Sequence, residues 1–173
     1  APRLVPLITA IGVSYFLQYT ARGLFGSGVE AFPNVPALTG SVSMGPITLQ
    51  KSQIAVFIAT AVLLLILWVL VSKTKIGRAI RSVAEDKDAA ALMGVDVDRA
   101  IATSFAIGGI MAGAAGVMYG LVFRQVAFYM GFVPGLKAFT AAVLGGIGNL
   151  PGAVLGGLIL GVIESVGPSL FLD

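Results

Sequence analysis

The sequence predicts an all-α, polytopic membrane protein, with about five hydrophobic segments (the last two short) around one structured cytoplasmic loop. Three observations predict it. Hydrophobic residues make up 57% of the 173 residues and charged residues 11%, against roughly 45–50% and about 25% in soluble domains. Residues 54–71 and 100–123 carry no charge at all. Between them, residues 73–99 hold six of the eleven basic residues (Lys73, Lys75, Arg78, Arg81, Lys87, Arg99) and five of the eight acids (Glu85, Asp86, Asp88, Asp96, Asp98). A surface so poor in charge must face lipid as well as itself. A charged stretch between two uncharged ones of that length reads as a loop between spans.

The first apolar segment, residues 4–19, is slightly short of the roughly 20 residues that a span needs. The chain opens at Ala1 without an initiator methionine and enters this segment almost at once, so a fragment of a longer protein is expected. Residues 20–53 form the longest polar connection. Pro33, Pro36 and Pro46, with several glycines, predict an irregular ordered loop there. Residues 54–71 are the clearest helix, and Trp68 near its end suits an interfacial anchor. The Lys/Arg excess puts 73–99 in the cytoplasm and the proline-rich loop outside. Residues 100–123 then run outward, and 124–134 form a short outer connection. Residues 135–150 and 152–166 are apolar but short, broken by Gly145, Gly146 and Gly148 and separated by Pro151-Gly152. They are either two tilted spans or a re-entrant pair buried within the protein.

Within the charged loop, Ser82-x-x-Glu85 has the form of a capping box. Ala89, Ala90, Ala91, Leu92 and Met93 favour helix, and Gly94 follows as a C-terminal cap. A short cytoplasmic helix over residues 83–93 is expected, with Asp98 better placed than Asp96 to cap the next span. The alternative is a plain helix lying at the membrane surface. Gly109, Gly113, Gly116 and Gly120 line one face of a helix, spaced for close packing either within the subunit or against a moving neighbour. Gly157 and Gly161 share a face with Glu164, the only acid inside an apolar segment. An ionisable group at such depth is a functional candidate. Lys137 precedes Pro151 by about as many residues as Glu164 follows it, so an antiparallel hairpin would set the two at one height, about 20 Å from the turn. They either pair there or snorkel separately to headgroups.

The chemistry excluded is broad. The chain has no Cys and no His, which removes thiolate sites and the commonest base and metal ligand. It has no phosphate-binding loop of the G-x-x-x-x-G-K-[ST] form, and the glycine-rich 146–152 misses the dinucleotide spacing. No metal site, catalytic residue or nucleic-acid patch is expected.

Asp88-Ala89-Ala90-Ala91-Leu92-Met93-Gly94 resembles the E-A-A-x-x-x-G loop of ABC-importer permeases, with Asp in place of Glu and no I-x-L-P after Gly94. A longer match resembles the permeases of branched-chain amino acid ABC importers. It comprises Ile76-Gly77-Arg78-Ala79, Ala84-Glu85-Asp86, Gly94-Val95, Asp98-Arg99, the run from Leu136 through Lys137 to Gly148, and Pro151-Gly152-Ala153. The resemblance implies one transmembrane domain over 1–173, part of a longer permease with spans before Ala1 and after Asp173, in a bacterial or archaeal cell membrane (the inner one in a Gram-negative cell). It further implies a second permease subunit, two cytoplasmic ATPase subunits that carry ATP and Mg while this chain binds no cofactor, and a soluble substrate-binding protein outside. Ser82, Glu85, Asp86, Asp88, Ala89, Ala90 and Gly94 would form the ATPase-coupling element, and Lys137, Thr140 and Glu164 are candidates for the substrate path. Permeases of this type move branched-chain and other amino acids, amides or urea. The alternatives are a secondary transporter or channel fragment using Lys137 and Glu164 as coupling charges, and a membrane scaffold packed through its glycine faces.

Overall fold

The computed structural model describes residues 5–33, 35–36, 40–44 and 47–171. Helix α1 (Val5–Phe25) leads to strand β1 (Glu30–Ala31) and a hairpin, β2 (Ser41–Met44) with β3 (Ile47–Gln50). Helix α2 (Lys51–Lys73) descends to two short helices, α3 (Lys75–Glu85) and α4 (Lys87–Leu92). Helix α5 (Val97–Phe123) returns to β4 (Gln125–Val126), followed by α6 (Phe132–Gly145) and α7 (Leu150–Phe171).

Helix α1 runs past the expected end at residue 19, because Gln18 and the residues after it continue the helix to Phe25, where Gly26 at φ 93 stops it. The 20–53 connection holds more order than its prolines suggest. Glu30 and Ala31 pair antiparallel with Val126 and Gln125, and Phe32 donates its amide to Arg124 at 3.0 Å, which ties the loop to the outer end of α5. Pro46 lies outside the described residues.

Among the described residues, three helices are long and apolar enough to cross a membrane: Lys51–Lys73, Val97–Phe123 and Leu150–Gly167. Their sides are open, as Phe57 (75% exposed) and Phe105 (79%) show; in lipid such faces are solvated. The 14 residues of α6 rise only about 21 Å, short of a hydrocarbon core of about 30 Å. Pro134 and Pro151 each fall in a helix's first turn, where a missing N–H costs nothing.

The antiparallel packing of α6 on α7 depends on missing side chains. A Cβ on Gly145 would lie 2.1 Å from the Gly152 carbonyl carbon, and one on Gly156 would lie 2.4 Å from the Ala141 oxygen. The turn between them uses Gly146 and Gly148 at φ 89 and 92, and the Asn149 side chain accepts from the Gly152 amide at 3.3 Å.

Among the described residues, the one cluster of buried side chains lies in the segment that looked least like a core. Val83, Ala90 and Ala100 are buried together, flanked by Ala79, Val95, Val97 and Ile101. They join α3, α4 and the start of α5 into a knob.

Candidate functional site

Local chemistry sets the knob's shape. Thr74 ends α2 and starts α3: its hydroxyl donates to the Leu70 carbonyl and accepts from the Gly77 amide. The corner is so tight that a Cβ on Gly77 would sit 2.1 Å from the Val71 oxygen. The helix expected over 83–93 is two helices, because Asp86 breaks it. Asp86 is extended at φ −151 and its carboxylate accepts from the Asp88 and Ala89 amides at 2.9 and 3.1 Å, capping α4. The Ser82–Glu85 capping box does not form. Ser82 lies inside α3 with its hydroxyl donating to the Ala79 carbonyl, and Glu85 ends that helix. An N-cap needs extended backbone, which Asp86 has and helical Ser82 lacks.

Gly94 closes α4 as expected. At φ 81 it lets the Val95 amide reach back to the Ala90 carbonyl at 3.0 Å, the helix-terminating arrangement that favours glycine. The cap of α5 is Asp96, not Asp98. Asp96 accepts from the Arg99 amide at 3.0 Å, while Asp98 stands within the first helical turn. Of the candidate coupling residues, Glu85, Asp86, Asp88 and Ala89 are exposed, Ser82 is half-buried, and Ala90 is buried in the core.

Sequence reasoning missed two residues here. Leu92 and Met93, at the end of α4, are 89% and 84% exposed. Two large apolar side chains thus stand in the open at the tip of a polar knob. The available signal was their position just before a helix-ending glycine, where they were read only as helix formers.

The second candidate site is on the α6–α7 hairpin. Lys137 on α6 and Glu164 on α7 form an ion pair, the Nζ donating to Oε1. The register that seats Gly145 against Gly152 and Ala141 against Gly156 carries up to this pair. It opens onto a cleft of about 460 Å³ lined in part by Tyr119, Phe123, Pro134, Gly161 and Ser165. Thr140 stays out of it, its hydroxyl donating to the Lys137 carbonyl at 2.8 Å. Beside the cleft, between α2, α5 and α6, lies an almost wholly apolar cavity of about 510 Å³ whose lining includes Val56, Gly116, Met118 and Ala138.

The glycine face of α5 is largely unused among the described residues. A Cβ on Gly109, Gly113 or Gly116 would meet nothing within 4 Å, and only Gly120 is in close contact, with the Phe32 ring from the outer loop. On α7, Gly157 makes ordinary contact with Ala141 and Gly161 faces open space. Among the described residues, the closest helix contacts are made by Gly145, Gly152 and Gly156.

Long apolar helices, with a capped polar knob between two of them, define a helical membrane protein. Residues 2–172 match the family described as branched-chain amino acid transport system, permease component, and the chain belongs to that family. It is 41% identical, over 99% of its length and 57% of the relative's, to the high-affinity branched-chain amino acid transport system permease protein BraD of Pseudomonas aeruginosa. It is 44% identical to the corresponding permease protein LivH of Salmonella typhimurium, over 95% of its length and 54% of that chain. It is 32% identical to the autoinducer 2 import system permease protein LsrC of an Enterobacter strain, over 95% of its length and 48% of that chain. The chain spans about half the length of the curated relatives it matches. No solved structure matches it. The protein is a multi-pass cell-membrane protein of a transport family rather than an enzyme family.

Proposed function

We propose that this chain is part of the membrane-spanning permease of an ATP-driven importer for branched-chain or related amino acids, with the 73–99 knob in the cytoplasm as the docking element for separate ATPase subunits. The observation that carries the reading is the knob itself: a capped, side-chain-packed element, joined without slack to two spans, with Leu92 and Met93 bare at its tip.

Coupling needs a rigid lever. A partner that shifts a floppy loop does no work on a helix, whereas one that shifts α4 also moves α5, because Ala90 and Ala100 share a core. Thr74 and Gly77 fix the other end to α2. Displacement below thus becomes tilt above, at the helices lining the apolar cavity. ATP hydrolysis belongs to the partner subunits, with ATP and Mg held there. A second permease subunit completes the pathway, and a substrate-binding protein supplies it from outside. The membrane is that of a bacterium or archaeon, the inner one where there are two. The family match favours this over a secondary transporter or channel.

The test is co-purification of the full-length permease with the ATPases encoded beside it. Leu92→Asp and the pair Glu85→Lys/Asp88→Lys leave the caps and core untouched. Each is expected to cost roughly 2 kcal/mol of docking energy, as loss of an interface hot spot does, or more than tenfold in affinity. Wild-type docking in both variants, with the chain folded, would sink the assignment.

A further inference from the structure

We infer that the Lys137–Glu164 pair is the receptor for the charged head of a zwitterionic α-amino acid, with the neighbouring apolar cavity taking the side chain. The inference deepens the importer reading and rests on it for the class of ligand delivered.

Among the described residues the two side chains are 51% and 60% exposed and line an open cleft. Each group also has capacity to spare. An ammonium has three donors and a carboxylate about four acceptor sites, and one of each is committed between them. An α-carboxylate can therefore settle on Lys137 while the α-ammonium settles on Glu164, closing a ring of four alternating charges. Net charge is zero before and after, so the ligand enters a poorly polar region without leaving an unpaired ion there.

The surroundings select what is attached to that head. Tyr119, Phe123 and Pro134 line both the cleft with the pair and the apolar cavity beside it, so head and side-chain spaces are contiguous. A cavity of about 510 Å³ falls in the range of ordinary ligand sites, and its walls carry almost nothing to satisfy a polar side chain. Gly161, on the cleft wall, leaves open the volume that the head occupies: a Cβ there would meet nothing within 4 Å. The cleft thus fits an α-amino acid with an aliphatic side chain.

The experiment is equilibrium binding to the full-length permease in nanodiscs of phosphatidylglycerol, whose headgroup has no ammonium. The probes are leucine, isocaproate (the same skeleton without the ammonium) and isoamylamine (without the carboxylate). Half-exposed charge contacts are of a size that shifts affinity by up to about fivefold. Glu164→Gln is expected to weaken leucine and isoamylamine to that extent and leave isocaproate unchanged; Lys137→Gln is expected to do the reverse. A merely structural pair would lower both half-ligands together or neither, and either result overturns the inference. So does displacement of leucine by added phosphatidylethanolamine, which would assign the cleft to a lipid headgroup. Should a charge variant fail to fold, Gly161→Leu fills the cleft with the pair intact, and undiminished leucine binding there is equally fatal. Uptake driven by the ATPases is measured in parallel. Its absence with selective binding retained would sink the importer reading alone, and uptake without selective binding would sink only the receptor.

Discussion

In the polar knob, helices meet through side chains: Val83, Ala90 and Ala100 exclude water from one another while Thr74, Asp86 and Asp96 cap the ends. In the α6–α7 hairpin, helices meet where side chains are missing, and Gly145, Gly152 and Gly156 let backbone touch backbone. The difference follows from solvent. In water, burying apolar side chains releases surface from hydration. In lipid that force is absent between helices, and close van der Waals approach takes its place. The most charged stretch of the chain therefore has the side-chain core, and an apolar hairpin is held by shape and one ion pair.

The comparison breaks most visibly at the hairpin. Gly152→Ala would put a Cβ 1.9 Å from the Gly145 oxygen, and backbone cannot swing aside as a flexible side chain does. Overpacking of this kind costs about 3 kcal/mol. The check is the unfolding midpoint of the full-length permease in a detergent titration. Gly109→Ala, which meets nothing within 4 Å, is the matched control and should stay within about 0.5 kcal/mol of wild type. Equal stability of the two variants would mean that α6 and α7 do not pack as described.

The knob should respond to the opposite change. Val83→Ala removes side-chain volume from a site only 5% exposed and is expected to cost about 2 kcal/mol. The loss should be local. Amide exchange should quicken across α3 and α4 and leave α6 and α7 unchanged; loss of protection in the hairpin as well would show that the two regions are one cooperative unit.

The sequence made some of this legible and hid the rest for physical reasons. Charge distribution separated the spans 54–71 and 100–123 from the loop between them, because desolvated charge is costly enough to leave a mark on every residue of a span. Counting residues about Pro151 set Lys137 and Glu164 at one height but left open whether they pair or snorkel separately, because side-chain reach is not written in the register; the structure pairs them. Helix starts were harder. Ser82-x-x-Glu85 matched a capping pattern, yet a pattern does not reveal whether its first residue is extended, and α3 begins earlier, at Thr74. The glycine face of α5 carried the commoner motif, but which small residues are in contact depends on which helices become neighbours, and α6 packs on α7. Leu92 and Met93 were counted as helix formers because exposure is a tertiary property: burial of Ala90 turns Leu92, on the far side of α4, outward, and Met93 stands past the helix end.

The smallest expected effect separates two adjacent acids at the start of α5. Asp96 is extended and accepts the Arg99 amide, so Asp96→Ala removes a true N-cap worth about 1 kcal/mol. Its contact with the Arg99 guanidinium at 2.9 Å adds little, because both side chains are largely exposed. Asp98 is already helical and acts on the helix end only through its charge, worth about 0.3 kcal/mol at such exposure. The contrast has a clear readout: amide exchange at Arg99 should quicken about fivefold in Asp96→Ala and barely change in Asp98→Ala, and raising the salt should erase the second effect while leaving the first. The reverse ranking would place the cap two residues later, lengthen the connection between α4 and α5, and loosen the lever through which the knob is proposed to act.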